Sequence, residues 1–293
     1  MQRTYFFILF IFISSVAFST EPVNPAATQD VKKVLKYIID LKGNGVLTGQ
    51  QNLADSVTKW TNKVFGITGK YPALLGQDFS YGKEAFKKRM NITNAAIEQW
   101  KLGGLVTISW HQVSPDKWDG SANEGEFSDT QVAMTKERFR ELLQEKTVIH
   151  DKYIAHIDTI ATYLKTLRDS GVVVLWRPYH EMNGGWFWWG AKQDFKRLWK
   201  LMYDRYTIHH GLNNLIWVWS PNISNPIVEY YPGDDYVDIV GFDGYPRDVR
   251  NWDSDETLKN ELDEMKKLSK NKIIALTEVG WLPEMEWLKK ERP

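Results

Sequence analysis

Apolar residues recur along this chain in two rhythms. The first is helical. In "DVKKVLKYIIDLKGNG", Val31, Val34, Leu35, Ile38 and Ile39 fall on one stripe at helical spacing. Asp30 is the expected cap, and Gly43 or Gly45 the expected stop. The second rhythm is a short continuous apolar run that ends in polar or aromatic residues. Seven such runs follow: "GVLTGQQN" near Val46, "PALLGQDFS" near Leu74, "GGLVTISWH" near Val106, "VVVLWRPYHE" near Val173, "NLIWVWSPN" near Ile216, "YVDIVGFDGY" near Val240 and "KIIALTEVGW" near Ile274. Helical patterns lie between them, such as "DFKRLWKLMYDRYTIHHG" from Asp194. Continuous apolar strands separated by helices predict a parallel sheet covered on both faces.

Seven such units in one long domain point to an α/β fold, a (β/α)8 TIM-type barrel. The runner-up is an open doubly wound sheet. No glycine-rich phosphate loop follows the first strand, which weakens the dinucleotide-binding version of that alternative. Every chemically distinctive residue also stands just after a strand, where a TIM barrel keeps its active site. The seventh strand ends near Glu278 and fifteen residues follow. These are too few for an eighth strand and its helix, so the C-terminal strand–helix unit is expected to be missing. The polar, glycine-bearing stretch 114–130 reads as a long loop over the top face.

Composition narrows the partners. Lys+Arg and Asp+Glu are both 37, and no basic run stands out, which argues against nucleic acid as a ligand. Cysteine is absent, which excludes disulfides, thiolate metal sites and lipid attachment through cysteine. The first twenty residues carry Arg3, an apolar run over 5–13 and small residues at "AFS". They read as a signal peptide, with an apolar run too short for a comfortable membrane span. The expected organisation is therefore a signal peptide over 1–20, a linker over 21–29 and one barrel domain over 30–293. The mature chain is expected to be secreted or periplasmic, monomeric, and without a membrane partner apart from export. Fourteen tryptophans exceed ordinary packing needs, and a flat ring face is also what a protein offers to a pyranose sugar.

The stretch "WRPYHEMNGGWFWWG" over 176–190 places one carboxylate, Glu181, among many rings. Glu278 ends the seventh strand. Alternate residues share a strand face. Ile274, Leu276 and Glu278 share a parity, as do Arg177, Tyr179 and Glu181, so both sets are expected at the barrel mouth. Two carboxylates facing across a cleft are what glycoside hydrolysis needs, one protonating the leaving oxygen and the other attacking the anomeric carbon or activating water. A carboxyl packed among rings holds its proton more tightly, which suits Glu181 to the acid role. Glu278 needs polar neighbours to stay ionised, and Tyr245 and Arg177 are the candidates.

Other groups weigh less. The six histidines show no metal-ligand spacing, so no metal or cofactor is expected. No G-x-S-x-G is present, and Ser220 reads as a cleft wall. At least one of Trp217 and Trp219 is expected in the core, and Trp188 and Trp189 half in core and half in cleft. Trp118 could stack on a distal sugar or pin its loop. "NIT" at Asn91 and "NIS" at Asn222 match a glycosylation sequon.

"RPYHEMNGGWFWWG", "VGFDGYP", "ALTEVGW" and "SWH" at 109–111 together resemble glycoside hydrolase family 26, best known for β-mannanases. The resemblance runs from about the first strand to the end of the chain, and "HEMNG" is its most specific part. It implies a secreted endo-β-1,4-mannanase that retains configuration, with Glu181 as general acid/base, Glu278 as nucleophile and no cofactor. It also implies that His180 contacts the sugar or the nucleophile, and that Trp186 forms sugar-binding surface. Tyr245 would hydrogen-bond the nucleophile, Asp243 would help bind sugar and His111 would line a neighbouring subsite. The same resemblance covers mixed-linkage β-1,3-1,4-glucanases and β-1,3-xylanases, and a shortened inactive sugar-binding chain is a third reading. The family's eighth strand is where this sequence departs.

Overall fold

The computed structural model describes residues 21–81, 85–120, 125–223, 226–246, 248, 251–269 and 272–291. The signal peptide expected over 1–20 lies outside them. The chain opens with α1 (Gln29–Leu41), β1 (Gly49–Gln51), α2 (Lys59–Thr68), β2 (Leu74–Asp78), α3 (Arg89–Lys101) and β3 (Leu105–Trp110). Then come α4 (Lys136–Leu142), α5 (Val148–Asp169), β4 (Val174–Pro178), α6 (Phe195–Asp204) and β5 (Leu215–Trp219). It finishes with β6 (Ile239–Gly244), α7 (Glu256–Ser269), β7 (Ile273–Val279) and α8 (Met285–Glu291). All strands are parallel and ordered β1 to β7 in one curled sheet, a TIM-type α/β fold.

Strand alternation splits the apolar residues into two bodies. Leu105, Val173, Leu175, Ile216, Val218, Ile239 and Ile273 point to the inside of the curl. The stripe of α1 closes the lower end over them with Val31, Val34 and Leu35. Thr28 caps this helix, because its hydroxyl, not the Asp30 carboxylate, accepts from the Val31 N–H at 3.3 Å. Asp30 instead places its charge in the first turn, where it favours the helix dipole. Gly43, at φ +79°, follows the helix end as expected.

The other parity faces the helices. Val106, Ile108, Val174, Trp176, Trp217 and Trp219 pack outward against Ile149, Tyr153, Ile157, Ile160 and Leu164 of α5 and against α6. Both Trp217 and Trp219 are fully buried. Between β5 and β6 the described residues form two short 3-10 turns, Val228–Tyr230 and Asp234–Tyr236, where strict alternation would have put an α-helix. Pro226, Pro232 and Gly233 interrupt any helical run there. The stretch read as a linker is tied to the barrel. The Val23 N–H donates to Asp238 Oδ1 at 2.7 Å, and the Tyr203 hydroxyl donates to the Val23 carbonyl at 2.8 Å.

Candidate active site

The upper ends of β2 to β7 converge on one polar cluster. Arg177 keeps the inward parity of Val173 and Leu175 on β4. Beyond Pro178 the chain leaves the pleat. Tyr179 (φ +49°) and Glu181 (φ +54°) both adopt left-handed backbone, a strain of order 1–3 kcal/mol per residue that clusters at functional sites. The first turn sends Tyr179 outward, contrary to the shared parity expected with Glu181. Tyr179 is buried, with its hydroxyl 2.8 Å from that of Tyr153. The second turn brings Glu181 over the mouth, with its N–H donating to the Ser220 carbonyl at 2.7 Å.

Two donors then hold the Glu181 carboxylate. Trp186 folds back, and its indole N–H donates to Oε2 at 2.6 Å. Asn222, just past β5, donates from Nδ2 to Oε1 at 2.8 Å. Asn183 in turn fixes Asn222, accepting its N–H at 2.8 Å and donating to its carbonyl at 2.6 Å. Trp186 can lie there only because residue 184 is glycine: a Cβ would sit 2.3 Å from the ring. Burial raises the Glu181 pKa and the Glu278 charge adds to that rise, while the two donors oppose it; the net direction is up.

Glu278 reaches the mouth by a different device. Phe242 pairs with Leu276, but Asp243 pairs with Glu278, so Thr277 is an extra residue in β7. Ile274 and Leu276 pack outward with the helical layer. Without the bulge Glu278 would have followed them, so the simple parity count reached the right residue for the wrong reason. The bulge turns both Thr277 and Glu278 toward Asp243. Arg177 Nη2 donates to Glu278 Oε2 at 2.7 Å and the Tyr245 hydroxyl to Oε1 at 2.5 Å. Burial alone would raise this carboxyl, but the Arg177 charge and the Tyr245 hydroxyl override it and hold the pKa at about 2.

Arg177 is shared. Its Nη1 donates to both oxygens of Asp243 at 3.0 and 2.9 Å. Asp243 is fully buried and also accepts from Ser220 Oγ at 2.7 Å and Thr277 Oγ1 at 2.9 Å. One guanidinium thus joins the ends of β4, β6 and β7. On the β2–β3 side, Asp78 Oδ2 lies 2.8 Å from His111 Nδ1, and His111 Nε2 lies 3.1 Å from His180 Nε2. Burial and the Arg177 charge lower the His180 pKa well below its usual value, so its ring is neutral.

The structure therefore brings together Glu181, Glu278, His111, His180, Trp186, Asp243, Tyr245 and Arg177. Trp188 and Trp189 do not reach the cleft: both are fully buried, and their indole N–H groups donate to the Gln112 and His180 carbonyls. Trp118 pins its loop, stacked on His156 at 4.5 Å. Three residues escaped the sequence reading. Asn222 was visible only as a sequon, yet its side chain holds Glu181. Asn183 sits two residues past Glu181. Asp78 ends a strand on the functional face, which was a usable signal. The arrangement sets one carboxyl with a raised pKa against one held ionised, the pairing that acid and nucleophile roles require.

Residues 23–292 match the family model described as glycosyl hydrolase family 26. The chain is 35% identical to a mannan endo-1,4-beta-mannosidase of Thermothelomyces thermophilus over 89% of its own length, and spans about half (52%) of that protein. It is 32% identical to a mannan endo-1,4-beta-mannosidase of Bacillus subtilis, covering 93% of this chain and 78% of the relative. The solved structure of GH26A from Muricauda sp. superposes with a TM-score of 0.81 at 37% identity, over 92% of this chain and 87% of that one.

Proposed function

Because the chain belongs to glycosyl hydrolase family 26, we propose that it is a secreted endo-β-1,4-mannanase acting by retaining double displacement. The observation that carries this reading is the contrast between the two carboxyls: burial raises Glu181, while Arg177 and Tyr245 keep Glu278 ionised. The names of the curated relatives support mannan as the polymer. A mannan chain lies across the upper ends of the strands, with Trp186 as part of the sugar-binding surface. His111 also meets the sugar; Asp243, expected to do so, is fully buried with its carboxylate taken by Arg177, Ser220 and Thr277, and holds Arg177 in place instead.

In the first step Glu181 gives its proton to the glycosidic oxygen as that bond breaks, and Glu278 attacks the anomeric carbon to form a glycosyl ester. The Glu181 carboxylate then takes a proton from water, whose oxygen attacks the same carbon and releases Glu278. Arg177 keeps the nucleophile charged before attack, and Tyr245 holds its other oxygen. Glu181 gains from the opposite environment, because a raised pKa keeps it protonated nearer to neutral pH. Export through residues 1–20 is part of the proposal. Within the described residues β1 and β7 are the two edges of the sheet.

The test is reducing-sugar release from β-mannan and, in parallel, from mixed-linkage β-glucan, with the protein beside its Glu181→Gln variant. Release from mannan that the variant loses is the expected result. Release from glucan alone overturns the substrate, and activity that survives in the variant overturns the acid.

A further inference from the structure

Asp78, His111 and His180 form a chain of three side chains from the end of β2 to the turn after β4. Each end is defined. Asp78 Oδ1 accepts from the Ser80 and Tyr81 N–H groups, both at 2.8 Å, and from the His111 N–H at 3.2 Å. Asp78 Oδ2 accepts from Ser109 Oγ at 2.6 Å and faces His111 Nδ1 at 2.8 Å. At the other end, His180 Nδ1 is buried and has no hydrogen-bond partner among the described residues. The rings of Phe187 and Trp189 pack on His180, and those of Tyr81, Phe127 and Phe187 on His111.

Hydrogen-bond logic settles where the protons sit. An ionised carboxylate only accepts, so His111 Nδ1 must carry the hydrogen that faces Asp78. With that single ring hydrogen, His111 offers a lone pair at Nε2. The facing Nε2 of His180 must donate into it, because two lone pairs would repel. That leaves His180 Nδ1 without a hydrogen. We infer that Asp78 is a positioning residue: through His111 it fixes the tautomer of His180, so that the ring hydrogen of His180 sits at Nε2 and its buried Nδ1 carries none. The expected effect on mannan cleavage rests on the function proposed above; the tautomer does not.

Asp78→Asn is the informative change. The Ser80 and Tyr81 N–H groups still require an oxygen at the Oδ1 position, so the new amide nitrogen takes the place of Oδ2. It donates to His111 Nδ1, and every proton in the chain moves over. His111 then donates from Nε2, His180 accepts at Nε2, and His180 Nδ1 gains a hydrogen. A buried donor without a partner would then stand next to Glu181, and the ring would move to relieve it, with an expected fall in kcat/KM on mannan of roughly 10- to 100-fold.

The experiment is 15N NMR of the histidine rings in the ligand-free protein, with His180 assigned by its disappearance in His180→Gln. In the unmodified protein, His180 Nδ1 should resonate as a nitrogen without hydrogen and Nε2 as one with hydrogen. Asp78→Asn should exchange the two and lower kcat/KM. A hydrogen on Nδ1 of the unmodified protein overturns the inference even if the variant fails to fold. So does a variant that keeps both the ring shifts and kcat/KM. The expected ring shifts in a protein that cleaves no mannan would leave the tautomer standing and count against the proposed substrate instead.

Discussion

Replacing Asn222 with alanine isolates what holds the acid. The change removes the 2.8 Å hydrogen bond to Glu181 Oε1. It leaves both main-chain bonds between residue 222 and Asn183 in place, so the loop keeps its anchor. A hydrogen bond to a charged group contributes about 1.5–3 kcal/mol. At 1.36 kcal/mol per pKa unit, that bounds the change at roughly 1–2 units. The Trp186 indole at 2.6 Å remains and compensates in part, so about 1 unit is expected. The sign follows from the form stabilised. Asn222 donates to the carboxylate, so its loss raises the Glu181 pKa further. In the proposed mechanism Glu181 must be protonated to start the reaction, so activity fails above its pKa. The alkaline limb of the kcat/KM profile should therefore move up by about 1 pH unit, with roughly 10-fold lower activity at the optimum because one of two orienting contacts is gone. The assay is initial rate on soluble mannan across the pH range. A limb that moves down, or a rate that falls with the limb unmoved, would refute the reasoning.

Three further outcomes follow from the same geometry. Glu278 is depressed from 4.5 to about 2, so its contribution to stability is present above about 4.5 and is lost as pH falls from there toward 2. Thermal melting between pH 5 and 3 should therefore depend less on pH in Glu278→Gln than in the unmodified protein; since this side chain is about one-third exposed, the difference should shrink in salt. Gly184→Ala puts a Cβ 2.3 Å from the Trp186 ring, an overpacking of about 1–3 kcal/mol that should lower Tm by roughly 2–8 °C. The same variant should lose activity by more than its stability loss explains, because the ring must swing off Glu181. Glu278→Ala should abolish turnover while leaving mannooligosaccharide binding nearly intact, as calorimetry can establish; more than a trace of residual turnover would remove Glu278 from the nucleophile role.

The sheet was legible because its strands are buried on both faces and so read as continuous apolar runs. The same property hid which face each residue takes, since a run that is apolar throughout carries no alternation. That is why the bulge at Thr277 and the left-handed turns at Tyr179 and Glu181 left no mark on the pattern. The site was legible where chemistry is concentrated, in "HEMNG" and "TEVG". It was illegible at Asn222, because an asparagine that serves a distant carboxylate has the same local sequence as a sugar acceptor. The tryptophans misled in part: ring count alone could not tell Trp188 and Trp189, whose indoles brace the framework, from Trp186, whose indole meets the acid.

The central claim is that Glu181 and Glu278 cleave mannan as acid and nucleophile through a glycosyl ester. Proton NMR of the anomeric region tests it most directly, recorded within minutes of mixing the protein with a mannooligosaccharide, before mutarotation. The account predicts that the newly formed reducing end appears first as the β anomer and only later equilibrates. Initial release of the α anomer would mean direct attack by water, and would contradict the account.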